Sequence, residues 1–160
     1  MTNPTGNQST NPAQIYAEAG LIFFRAPAKY ETKANGQKKI KACPFPTHAT
    51  HTKQLNYGPH AGDWYSLRMG WEFKPGRFAI LLDFDKKTEG PVKSGVDLAK
   101  MLNMDQYGAP KQLTPSEGYH YIFYLDAEQS SKMTSNSINN ITYQGVEYAM
   151  DVKFKNQLCN

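Results

Sequence analysis

"RFAILLDFDKKTEG", residues 77–90, begins as an apolar strand and ends on two carboxylates, Asp83 and Asp85, one residue apart. Side chains alternate faces along a strand, so Ala79, Leu81, Asp83 and Asp85 share one face. Ile80, Leu82 and Phe84 share the other. Two carboxylates this close repel, and a cation between them relieves the repulsion. Hard divalent ions such as Mg²⁺ or Mn²⁺ take oxygen ligands of this kind and leave positions open for phosphate. A solvated turn after Phe84 would also explain two acids, so the rest of the chain has to decide.

Immediately upstream, "WYSLRMGWEF" (64–73) and the strand from Arg77 flank Pro75 and Gly76, which suit the central positions of a type II turn. These segments are expected to form an antiparallel hairpin. Downstream, "SGVDLAKMLNM" (94–104) reads as an amphipathic helix capped by Ser94, with Val96, Leu98, Met101 and Leu102 as its apolar face. "YHYIFYL" (119–125) is rich in β-forming residues, and "ITYQGVEYAMDVKF" (141–154) reads as a second hairpin turning at Gln144–Gly145. Nearer the start, "NPAQIYAEAG" (11–20) has the cap, proline and terminal glycine of a short helix, and "LIFFRAPA" (21–28) reads as a buried strand. Residues 29–53 form a basic, irregular arm containing Lys38, Lys39 and Lys41. Strands and helices in this order predict an α+β fold, an antiparallel-rich central sheet with flanking helices.

The 160 residues suffice for one cored domain, here 11–160, preceded by a polar flexible leader at 1–10. No apolar run is long enough to span a bilayer, and the start lacks the basic and apolar regions of a signal peptide. Cys43 and Cys159 alone make no disulfide framework, which suits an intracellular setting. A net charge of +4 and a pI near 9.0 mildly favour an anionic partner such as nucleic acid or nucleotide.

Three further residues give the acid pair company. His120 follows a small polar turn in "LTPSEGYHYIFYL" (113–125). Asp151 interrupts an apolar strand in "VEYAMDVKF" (146–154), with Lys153 two residues on and so on the same face. A neutral imidazole can donate to a phosphate oxygen, and a third carboxylate completes the ligand set of a two-metal clamp.

"RFAILLDFD", "LTPSEGYHYIFYL" and "VEYAMDVKF", in this order, resemble the three motifs of primase-polymerases of the archaeo-eukaryotic primase superfamily. Such domains stand at the N-terminus of plasmid, phage and viral primase-helicases. The resemblance implies an RRM-like catalytic core and metal-dependent, template-directed nucleotidyl transfer in DNA replication. By it, Asp83, Asp85 and Asp151 hold Mg²⁺ or Mn²⁺ and are catalytic, while His120, Ser116, Gly118 and Lys153 bind the nucleotide. The implied partners are a single-stranded DNA template, nucleoside triphosphates and a helicase domain in a longer protein, with no membrane. Relatives continue beyond the third motif, so the domain is expected to be truncated at its C-terminus. Two departures stand out: Glu117 where glycine is frequent, and Lys153 where arginine is frequent, which keeps the charge and loses the bidentate grip.

Cys43, His48, His51 and His60 offer thiolate and imidazole for Zn²⁺, although their spacing matches no standard finger. A His-hydrophobe-His nickase is excluded, because "HATH" (48–51) places two residues between its histidines. Two rivals remain: a non-catalytic single-stranded nucleic-acid-binding module, and a two-metal nuclease.

Overall fold

Strand-forming residues in period-two alternation build most of the chain. A computed structural model describes residues 18, 20, 23–32, 34, 36, 38–42, 63–70, 72–155 and 158–159. The helix expected over 11–20 lies outside the described residues but for Glu18 and Gly20. The basic arm is not irregular throughout. β1 (Phe23–Thr32) runs past Lys29 and pairs antiparallel with β2 (Lys38–Ala42). Lys38, Lys39 and Lys41 lie on that paired strand, with Glu31 in register with Lys39.

The hairpin expected across 64–85 divides between two sheets. β3 (Asp63–Arg68) pairs with β1, whereas β4 (Glu72–Lys74) pairs with β5 (Arg77–Phe84). The break falls at Gly70, whose φ of 73° is left-handed and whose N–H donates to the Ala79 carbonyl at 2.7 Å. That bond carries the chain from one sheet to the next. Gly76, at φ 70°, turns β4 into β5 as the type II expectation requires.

After β5 come β6 (Lys93–Ser94), helix α1 (Gly95–Met101), a 3₁₀ turn (Met104–Tyr107), β7 (Lys111–Leu113) and β8 (Tyr119–Leu125). Helix α2 (Ala127–Lys132), β9 (Ser137–Ile138), β10 (Ile141–Tyr143), β11 (Val146–Lys153) and β12 (Leu158–Cys159) complete the order. β12, β3, β1 and β2 form a four-stranded sheet. The larger sheet runs β10, β11, β5, β8, β7, with β4 joining β5 and β6 and β9 joining β11. Only β6 with β11 is parallel among the described pairings. The architecture is therefore mixed α and β, a multi-stranded mixed sheet with few helices.

One face of the large sheet carries the main apolar cluster, while Ala79 and Leu81 are buried on the other. In that cluster Ile80, Phe84, Tyr121, Tyr148, Met150, Val152 and Phe154 gather against Leu98 and Ala99 of α1 and against Met104. Phe84 and Phe154 are fully buried; shielding side chains of this size contributes on the order of 2 kcal/mol each. Met101, expected in the apolar stripe, is 57% exposed. At 100° per residue, Gly95, Leu98, Ala99 and Leu102 fall on one side of α1 and Met101 beyond its edge. Ser94 sits at the cap position without capping; its hydroxyl oxygen accepts instead from the Lys87 N–H at 3.3 Å. Gln144 and Gly145 turn β10 into β11 with φ of 50° and 78°. Both are left-handed, as a tight two-residue hairpin demands. No helix among the described residues is long and apolar enough to cross a membrane.

Candidate metal and nucleotide site

The strands that carry the candidate residues are neighbours, and their register lines those residues up. Asp151 on β11 is opposite Asp83 on β5, and Asp83 is opposite His120 on β8. Gln112 on β7 continues the row. Directly opposed side chains project from the same face of a sheet, about 5 Å apart at Cβ. Asp151, Asp83 and His120, far apart in sequence, thus share the face turned away from the aromatic core. Lys153 is in register with Leu81 and joins the same face.

Asp83 is the best-held member, at 8% exposure, with His120 at 5%. Its Oδ2 accepts from Lys153 Nζ at 2.6 Å, and its Oδ1 lies 3.3 Å from His120 Nε2. Burial alone pushes a carboxyl up. The hydrogen bond from His120 and the charge of Lys153 outweigh it and hold the Asp83 carboxyl down at about 2. Asp85 is pushed the other way, above the usual carboxylate range, first by burial and then by the negative charge of Asp83, with a smaller push from Asp151. Asp85 therefore feels the charge of both other acids. Asp151 Oδ1 accepts from the backbone N–H of Asn140 at 3.2 Å.

Backbone contacts fix where the acids stand. The Asp85 N–H donates to the Ala149 carbonyl at 2.9 Å, and the Asp85 carbonyl accepts from the Gly95 N–H at 2.8 Å. This ties the end of β5 to β11 and to the start of α1. A Cβ at Gly95 would lie 2.1 Å from the Ala149 oxygen and 3.0 Å from the Asp85 nitrogen. Gly95→Ala is expected to lower stability by about 3 kcal/mol, read as a fall in the urea midpoint.

The polar turn before His120 is built on Thr114. Its Oγ1 accepts from the Gly118 N–H at 2.9 Å, and its N–H donates to the Gly118 carbonyl at 3.0 Å. Ser116 is exposed, its hydroxyl 3.1 Å from that of Thr114. Gly118 approaches so closely that a Cβ would sit 2.6 Å from the Phe84 carbonyl oxygen and 3.4 Å from the Asp85 Cα. The turn is therefore seated on the strand end that bears the acids. Glu117 forms an ion pair with Lys86 just beyond Asp85. Its charge is spent there.

Sequence reasoning passed over Thr114, Gly95, Asn140 and Lys86. Thr114 had a signal, a hydroxyl four residues before a glycine in a proline-containing turn. The other three act through long-range contacts that no local pattern announces. Cys43, His48, His51 and His60, the zinc candidates, lie outside the described residues.

As they stand, no three His, Cys, Asp or Glu side chains among the described residues are arranged to hold a metal ion. The donor set nevertheless has the right chemistry: three carboxylates from adjacent strands, one of them destabilised by the charge of its neighbours, are hard oxygen ligands for Mg²⁺ or Mn²⁺. Asp83 is engaged by Lys153, which places a positive charge where a cation would be drawn. No protein-family model, no curated protein and no solved structure matches this chain.

Proposed function

We propose that this chain carries out metal-dependent, template-directed nucleotidyl transfer of the primase-polymerase kind. The observation that carries the reading is the cross-strand row Asp151–Asp83–His120, three motif residues brought onto one sheet face by register alone. Asp83, Asp85 and Asp151 are the residues that would hold divalent ions. Such ions activate the attacking 3′-hydroxyl and offset charge on the triphosphate. His120 faces Asp83 through Nε2, and its ring would donate to a phosphate oxygen once a metal ion has taken over the carboxylate it now faces. The turn from Thr114 to Gly118 leads into His120 and leaves the Ser116 hydroxyl exposed, 3.1 Å from that of Thr114. Lys153 supplies a cation that touches Asp83 and whose charge Asp85 feels. A single-stranded DNA template and nucleoside triphosphates are the proposed partners, with a helicase domain belonging to a longer replication protein.

The test is direct. Protein, labelled nucleotides and primed or unprimed single-stranded DNA are incubated with Mg²⁺ or Mn²⁺, beside the double variant Asp83→Ala, Asp85→Ala. Strand extension by the parent and not by the variant is expected. Metal-dependent shortening of the strand would assign a nuclease, and DNA binding with no metal-dependent change would assign a binding module.

A further inference from the structure

The Asp83 carboxylate has both oxygens engaged, one by Lys153 Nζ at 2.6 Å and one by His120 Nε2 at 3.3 Å. A lysine this close to a carboxylate 8% exposed is no loose surface pair. Lys153 leaves from the same strand face as Asp151, two residues away, so its amine reaches Asp83 from the strand that carries the third acid. Asp85 lies in the field of Lys87, on the loop after β5, and less strongly in that of this amine. One ammonium and one divalent ion cannot both take the Asp83 Oδ2 position.

We propose that Lys153 is a stand-in cation: it neutralises Asp83 while the site lacks metal, and a divalent ion enters by displacing its amine from the carboxylate. This inference rests on the metal-binding reading of the three acids and adds to it a named competitor. The exchange breaks one ion pair and forms one metal–carboxylate contact, with no covalent change. Displacement leaves a mobile ammonium at the edge of the site, where an anionic group is its natural next partner. Lys153 is thus a positioning residue, and binding of metal and docking of that anion are coupled through it.

Mn²⁺ binding to the full chain without nucleotide, measured by calorimetry, tests the competition. Lys153→Met is expected to bind Mn²⁺ about tenfold more tightly than the parent, a gain of about 1.4 kcal/mol. Lys87→Met removes a nearby charge with no contact to Asp83, and is expected to change affinity by less than about twofold. Equal affinity in Lys153→Met and the parent, weaker binding in that variant, or an equal gain in Lys87→Met overturns the inference while leaving the metal site standing. Absence of Mn²⁺ binding in the parent overturns both. Where Lys153→Met does not fold, the parent answers by itself in NMR of its lysine ammonium groups. On addition of Mg²⁺ the Lys153 signal is expected to shift and exchange faster with water. A signal unmoved at saturating Mg²⁺ overturns the displacement.

Discussion

Asp85→Asn eliminates nucleotide incorporation by at least about a thousandfold, corresponding to a loss of about 4 kcal/mol of transition-state stabilisation, and yet melts at a higher temperature than the parent. The two halves of this expected result come from one cause. Burial and the negative charge of Asp83 push the Asp85 carboxyl up, so its ionised form is disfavoured in the folded chain. A carboxyl raised in this way costs stability that sets in above its ordinary value of 3.8 and grows as the pH rises. Asparagine keeps the shape, removes the charge and relieves the repulsion. The expected gain is about 1 kcal/mol, or about 3 °C in a chain of this size. Scanning calorimetry at neutral pH without divalent ions measures it, beside the primer-extension assay. Loss of incorporation in a more stable protein cannot be ascribed to unfolding. A variant that still extends primers removes Asp85 from the site, and one that melts lower removes the repulsion argument.

Asp83→Asn acts in the opposite sense on stability, and its effect depends on acid. The Asp83 carboxyl stands at about 2 in the folded chain against an ordinary 3.8. A depressed carboxyl contributes stability that is fully present above its unfolded value and is lost as pH falls through the folded one. The difference is worth about 2 kcal/mol, present above about pH 4 and gone near pH 2. Asparagine also takes the charged Asp83 partner from part-buried Lys153, which brings the expected loss at neutral pH to about 3 kcal/mol. Urea titrations between pH 2 and 7 show it as a parent curve that falls steeply on the acid side and a variant curve that is flatter and lower. Parallel acid limbs in the two proteins would contradict the depression of the Asp83 carboxyl itself.

How far the sequence reaches can be seen residue by residue. "YHYIFYL" is β8 from Tyr119 to Leu125, and the turn at Gln144–Gly145 is where the left-handed pair occurs. These signals are local: alternation of side chains and the φ preference of a two-residue turn. Trp64 to Phe73 shows the limit, because a continuous β-prone run does not say which sheet each half joins; Gly70 decides that through a contact with Ala79. The pairing of β1 with β2 was hidden by a lysine-rich composition that suits an exposed strand as well as a loop. α2 was passed over although Asp126 and Gln129 form a full capping box, because six residues are too few for periodicity to register. At the site, alternation predicted that Asp83 and Asp85 share a face, and likewise Asp151 and Lys153. It could not say that the two strands are adjacent or that their register sets acid against acid. For the same reason Lys153 was assigned to phosphates through the family resemblance, and its contact with Asp83 went unforeseen.

The pairing of β5 with β11 has a consequence for how the site comes into being. Asp83 and its lysine partner are 70 positions apart along the chain, and closing a loop of that length costs about 4 kcal/mol of chain entropy. Contacts of such high order form late in folding. A nascent polypeptide emerging from the ribosome therefore carries Asp83 and Asp85 as an unmatched pair until the last strands are synthesised. Only the finished β11 delivers both the third acid and the amine that neutralises the first.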